Sequence, residues 1–262
     1  MNRKDPPRIK AGSAPKILLV RLRRIGDIVM TTPAITALKQ ALPQASLTYV
    51  VEEPYVRLIE GNPDIAKTIR IPPHQHVASF LDLVRRLRRE RFDIAVDFHG
   101  GPRASRITWL SGARLKVGYE LKHKGLMYDI RVPRSRDSPP VHSVENHLNL
   151  VRAAGVDIQE PWPRLRLPPA RPEETQRIEE LWAGHGLTGN KAVVVHVGAG
   201  NPFRDWGAPN LTDLALRLAA LPDVRVALVG SAEDRPRAGE IRAKSGNAVV
   251  SLAGELNLIE LR

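Results

Sequence analysis

The chain has 262 residues, 42% of them hydrophobic and 26% charged, the composition of an ordinary globular protein with room for one large domain or two modest ones. It has no cysteine, which removes disulfides, thiolate metal sites and cysteine nucleophiles together. The net charge of +12 lies wholly in the first half: residues 1–150 carry 26 basic and 14 acidic side chains, residues 151–262 carry 14 of each.

Thirty of the 40 basic residues are Arg, whose planar fork suits phosphate and carboxylate. The first half is therefore expected to meet something anionic, whether nucleic acid, a membrane surface or a phosphorylated substrate. No run approaches the ~18 apolar residues of a membrane span. The polar, basic start also lacks the apolar core of a signal peptide, so a cytoplasmic location is expected.

Residues 1–15 read as a flexible basic tail. The apolar run at 16–20 then predicts a buried strand, and further strands are expected at 46–51, 68–71 and 92–98. The intervals hold helical patterns, which together predict a parallel α/β sheet. The clearest helix is 76–91, where Val77, Phe80, Leu81, Val84 and Leu87 form one apolar stripe expected to pack on the sheet. Arg85, Arg86, Arg88, Arg89 and Arg91 make its other face, a candidate contact with an anionic membrane.

Residues 115–140 are irregular with short strands around 115–120 and 128–132, and 142–154 are helical. Five prolines between Pro161 and Pro172 predict a stiff linker at 161–172, after a first domain at 16–160. The alternation then restarts, with helices near 173–184, 209–221 and 233–245 and strands at 192–197, 224–230 and 248–252. Residues 173–262 thus form a second α/β domain.

Candidate chemistry lies in the loops after strands, where open α/β sheets bind ligands. Arg21, Arg23 and Arg24 follow the first strand and Asp27 falls near the next helix start. The three guanidinium groups favour an ionised Asp27, an available general base. A helix cap is the alternative role for it. In the second domain Gly198 and Gly200 allow close backbone approach to a ligand, and Arg204 could pair with a phosphate over the next helix. A plain tight turn is the alternative there.

Glu233 is suited either to a sugar hydroxyl or to a first-turn helix cap. His99 lines the same sheet edge as Asp27 or serves a structural role. No histidine pattern points to a metal, so none is expected. No G-x-S-x-G elbow appears either, which disfavours nucleophilic hydrolysis.

The stretch KILLVRLRRIGDIVMTTPAITALKQALPQASLTYVVE, then D-x-H-G-G-x-R at 97–103, R-L-K-V-G-Y at 114–119, HVGAGNPFRDW and ALVGSAED, resembles glycosyltransferase family 9, the lipopolysaccharide heptosyltransferases. The resemblance covers about residues 16–262. It implies a GT-B-like fold of two Rossmann-like domains, the first taking the acceptor and the second a nucleotide-activated sugar such as ADP-heptose. It also implies inverting transfer without a metal or other cofactor, with Asp27 as base.

Arg204 falls at the basic position facing the donor phosphates, two residues before Trp206, and Glu233 lies near the nucleoside. Gly198 and Gly200 would line the donor; Arg21, Arg23, Arg24 and His99 would line the acceptor. The acceptor would be an anionic glycolipid or core oligosaccharide, with peripheral contact at the inner face of the membrane and no nucleic acid. Family members continue with a D-S/T-G motif where this chain ends, so the second domain is expected to be incomplete. Two further readings remain open at this point: a non-catalytic relative that binds acceptor only, and a basic nucleic-acid-binding α/β protein.

Overall fold

The computed structural model describes residues 13–121, 126–134, 141–158 and 160–261. The chain divides between Pro169 and Ala170 into two compact units.

The first unit is built on six parallel strands: β1 (Lys16–Val20), β2 (Ser46–Glu52), β3 (Lys67–Ile71), β4 (Ile94–Asp97), β5 (Leu115–Tyr119) and β6 (Ile130–Val132). Their order is β3-β2-β1-β4-β5-β6, so the chain starts in the middle, works to one edge, then crosses to the other side. That reversal between β1 and β4 opens a crevice at the strands' carboxyl ends. Leu18 pairs with Thr48 on one side and Ala95 on the other, which brings the loops after β1 and β4 to one place. The central strands are continuous apolar runs because helices cover both faces.

The helices are α1 (Ile25–Val29), α2 (Thr32–Ala41), α3 (Val77–Glu90), α4 (Pro102–Leu110) and α5 (Ser143–Ala153). The helix after β1 is broken in two. Pro33 has no N–H to continue the ladder, and the Val29 carbonyl it would have met accepts from Thr32 Oγ1 at 2.8 Å, while Ile28 O accepts from both Thr31 N at 3.0 Å and Thr31 Oγ1 at 2.7 Å. On one face α2 meets α5, and on the other α3 and α4 share a core in which Leu83, Leu87, Ala104 and Ile107 meet Leu18 and Val50.

The buried row of α3 differs from the expected stripe. Phe80, Leu83, Val84 and Leu87 face the sheet, whereas Val77 and Leu81 are 77% and 46% exposed. The reason lies further along the helix. Val77 and Leu81 share their stripe with Arg85 and Arg88, so burying it would strip water from two guanidinium groups.

Residues 163–169 lie along the first unit. Arg166 N donates to Thr32 Oγ1 at 3.1 Å, Asn62 Nδ2 donates to Arg166 O at 3.0 Å, and Pro168 is buried. Pro172 occupies the first turn of a helix, where a missing N–H is tolerated.

The second unit contains α6 (Pro172–Gly184), β7 (Lys191–His196), α7 (Ala208–Ala219), β8 (Val224–Val229), α8 (Arg235–Ser245) and β9 (Val249–Ser251). Among the described residues its sheet has three parallel strands in the order β7-β8-β9. Val226, Leu228, Ala238 and Ile241 centre one core, and Leu187, Val229 and Leu252 centre another. Edge strand β7 is the more open, with Val194 52% exposed while Val249 and Val250 of β9 are buried.

Candidate functional site

The crevice of the first unit is organised by Arg21, the first residue after β1. It is buried, and its guanidinium joins three segments: Nη1 donates to Phe98 O at 2.7 Å, Nε to Arg23 O at 3.3 Å, and Nη2 is ion-paired with Asp27. One side chain thus ties the ends of β1 and β4 together and fixes a carboxylate at the switch point. Arg21 is buried and bonded to these three partners, and it positions Asp27.

Asp27 itself is 41% exposed. It is not a cap: the N-cap of α1 is Arg24, and no side chain bonds there. Its neighbour Gly26 has open space where a side chain would stand, so a ligand can approach the carboxylate closely.

Arg23 and Arg24 are both exposed at the crevice mouth. Arg24 has φ 60° and ψ 150°, a conformation that is essentially the preserve of glycine.

The loop after β4 completes the crevice. Asp97, fully buried, accepts from His99 N and Gly100 N, both at 2.8 Å, which folds the loop back on the strand end. Tyr128 Oη donates to the other Asp97 oxygen at 2.6 Å and lies 2.7 Å from Ser105 Oγ. A Cβ on Gly118 would collide with the Tyr128 ring, so this strand glycine makes room for the tyrosine. Burial and the adjacent Asp97 charge push the Tyr128 hydroxyl strongly upward, keeping it a donor. His99 is half-buried with its ring against Gly101.

Two further groups brace this edge. Arg103 donates to Glu52 Oε1 at 3.1 Å, to Pro72 O and Pro73 O at 2.7 Å each, and to Gln75 Oε1 at 3.1 Å, stapling the β3–α3 loop to α4. Beneath the loop, His147 Nδ1 lies 2.8 Å from Tyr119 Oη and its ring meets the edge of Phe98. Burial first, then the cations Arg21 and Arg134, push His147 down to about 3, so it is neutral.

Sequence reasoning missed Tyr128, Arg103 and His147. Gly118 inside a strand was the available signal for the tyrosine. Arg103 closes the D-x-H-G-G-x-R stretch, which marks the residue but not its partners, and nothing local marks His147, whose bonded side chain lies 28 residues away.

In the second unit three loops meet at the start of α8. Arg237 bonds both oxygens of Asp205, at 3.0 and 2.6 Å, and donates to Val197 O at 3.0 Å. Arg235 donates to Ala253 O at 3.2 Å and Gly254 O at 2.9 Å. Asp234 accepts from Ser231 N at 2.8 Å, and its carboxylate occupies the space a Cβ would need on Gly198 or Gly230. The carboxyl ends of β7, β8 and β9 are thereby fixed by one short segment.

The expected donor residues fall on these loops in different ways. Gly198 serves the internal contact with Asp234, whereas Gly200 faces open space. Arg204 closes a 3-10 turn (Pro202–Arg204) and is exposed beside exposed Trp206. In the β8 loop Ser231 is the N-cap of a 3-10 turn, and Asp234, one residue past Glu233, completes its capping box. Glu233 is exposed, and the Ser231 hydroxyl and its own backbone N–H hold its carboxyl below the usual range. Among the described residues no three His, Asp or Glu side chains converge as metal ligands.

The sequence profile of glycosyltransferase family 9 (heptosyltransferase) matches residues 80–262. A lipopolysaccharide heptosyltransferase 3 of Escherichia coli is 25% identical over 195 residues, 71% of this chain and 55% of that protein, so the chain spans little more than half of this relative. Among solved structures, the family 9 glycosyl transferase from Veillonella parvula superposes with a TM-score of 0.83 at 21% identity, covering 94% of this chain and 71% of that one. The Escherichia coli ADP-heptose lps heptosyltransferase II does so with a TM-score of 0.75 at 20% identity, covering 94% and 75%. These two likenesses establish the shared fold.

Proposed function

The chain belongs to glycosyltransferase family 9, and on that premise we propose that it moves a heptose from ADP-heptose to a lipopolysaccharide core or related glycan acceptor with inversion at the anomeric carbon. The observation that carries this reading is the Arg21–Asp27 arrangement: a partly exposed carboxylate, held at the switch point by a buried guanidinium, with open space at Gly26.

Asp27 is the base. It takes the proton of an acceptor hydroxyl as that oxygen attacks the anomeric carbon, and the bond to the nucleoside diphosphate breaks on the opposite face. Arg21 keeps Asp27 aimed; Arg23, Arg24 and His99 meet the anionic acceptor. On the second unit Arg204 faces the departing diphosphate, where a fixed cation stabilises charge as it develops. Gly200 leaves room for the phosphates, and Glu233 accepts from a ribose or sugar hydroxyl. The Arg237–Asp205 pair holds the turn that presents Arg204.

The donor side is tested by titrating ADP and UDP into the protein and its Arg204→Ala variant. ADP should bind more tightly than UDP, and the variant should lose about tenfold or more in ADP affinity, the worth of a hydrogen bond to a charged group, with no change in acceptor binding. Equal affinity for both nucleotides would contradict the donor assignment. An equal loss for donor and acceptor would contradict the role of Arg204.

A further inference from the structure

We propose that Arg237 is a positioning residue of the donor site: it holds the turn that carries Arg204 in register with the loop that carries Glu233, so that the two arms grip one nucleotide as a unit. The proposal rests on the donor reading of those two residues given above. They lie on separate loops, one after β7 and one after β8. Strand pairing, with His196 opposite Val229, fixes where both loops begin. It does not fix where the Arg204 turn comes to rest further along its loop.

That place is set from α8. Arg237 Nη1 donates to Val197 O and Asp205 Oδ1, both at 3.0 Å, and Nη2 donates to Asp205 Oδ2 at 2.6 Å. One guanidinium therefore holds both the start of the β7 loop and the residue next to Arg204. The turn itself has no slack: Arg204 N donates to Asn201 O at 2.9 Å, Asp205 N to Pro202 O at 3.1 Å, and Gly207 N to Asp205 Oδ1 at 2.9 Å. On the other side, α8 begins two residues after Glu233, and its fully buried Ala238 and Ile241 seat it in the core. About one turn of helix thus sets Arg237 relative to Glu233, and a two-pronged ion pair sets Arg204 relative to Arg237.

Both side chains of the pair keep 30% of their surface in water, and an ion pair that open adds little to stability. The core under α8 does not depend on it. What the planar fork supplies is geometry, because bonding both carboxylate oxygens fixes orientation as well as distance. A cation facing a diphosphate is effective only where it is held in place beforehand. The Arg237 bonds, then the Gly207 N–H, also hold the Asp205 carboxyl below the usual range, so the pair is ionic. Lysine would keep the charge at 237 but lose the fork.

The test is calorimetric titration of ADP and of adenosine into the full chain and its variants, with thermal unfolding followed on the same samples. Arg237→Gln should lose about five- to tenfold in ADP affinity while adenosine affinity stays within about twofold and unfolding is unchanged. Asp205→Asn, which keeps an oxygen for Gly207 N, should do the same. Because Arg237 acts through Arg204, Arg204→Ala should cost about twofold in the Arg237→Gln background against about tenfold in the parent. Arg237→Lys should stay closer to Arg237→Gln than to the parent.

Losses that simply multiply in the double variant, an equal fall in ADP and adenosine affinity, a lowered unfolding temperature in Arg237→Gln and Asp205→Asn, or full rescue by Arg237→Lys would overturn the proposal. The parent separates the two claims. An ADP affinity that depends on Arg204 but is untouched by Arg237→Gln ends the positioning role alone, whereas a parent whose ADP affinity does not depend on Arg204 ends the donor reading itself.

Discussion

Tyr128→Phe isolates the buried hydrogen bonds that shape the acceptor-side loop. The substitution leaves the ring in the space that Gly118 provides and removes only the hydroxyl, which donates to Asp97 at 2.6 Å and lies 2.7 Å from Ser105 Oγ. Asp97 is fully buried, so water does not replace the lost donor. A hydrogen bond to a charged group contributes about 1.5–3 kcal/mol. The unfolding midpoint of the first unit should therefore fall by about 3–12 °C, taking about 2–4 °C per kcal/mol for a domain of this size.

Ser105→Ala removes only a neutral hydroxyl, about 0.5–1.5 kcal/mol, and should shift the same transition less. Calorimetry or tyrosine-sensitive circular dichroism of the parent and both variants measures the difference. A Tyr128→Phe shift no larger than that of Ser105→Ala would refute the claim that Tyr128 supports a buried carboxylate.

Arg24→Gly should stabilise the first unit by about 0.5–2 kcal/mol, because releasing a φ of 60° returns about 1–3 kcal/mol against a smaller entropic penalty for glycine; denaturant titration should show this while acceptor affinity falls. His147 is driven down to about 3 in the fold against an unfolded value near 6.5. Its contribution is therefore complete above about pH 6.5 and is lost as pH falls towards 3, near 2.5 kcal/mol by pH 4.5. His147→Leu should flatten that part of the stability–pH curve, whatever its effect at pH 7, and an unchanged slope would contradict the assignment. Hydrogen exchange should protect β1, β2 and β4 most and β7 least, since β7 is an open edge and the others are covered on both faces; stronger protection in β7 than in β1 would contradict the burial pattern.

The strand–helix alternation was legible because parallel strands buried on both faces are short apolar runs, and residues 17–20, 49–51 and 226–229 carry that signal without interruption. The switch point followed from it, since Asp27 and His99 lie in the segments that follow the two central strands. The phase of α3 was not legible. Phe80, Val84 and Leu87 fit either stripe, and only the requirement that Arg85 and Arg88 stay in water selects Leu83 over Leu81.

The roles within the crevice were also hidden. Arg21 and Arg23 look alike in sequence, yet one is buried holding Asp27 and the other is exposed, a difference created by the approach of Phe98 from a distant strand. The same holds for Gly198 and Gly200, whose neighbours are set by where Asp234 falls.

The central claim is that Asp27, positioned by Arg21, removes the proton from the acceptor hydroxyl. The direct measurement is the rate of sugar transfer from ADP-heptose to a core acceptor by the parent and by Asp27→Asn, with thermal unfolding and ADP affinity followed on the same samples. The amide keeps an oxygen for Arg21 but gives up proton-accepting strength. Turnover should fall about 10²–10⁴-fold, the usual worth of a positioned base, while unfolding and ADP affinity stay close to the parent. Turnover within a few-fold of the parent would contradict the account.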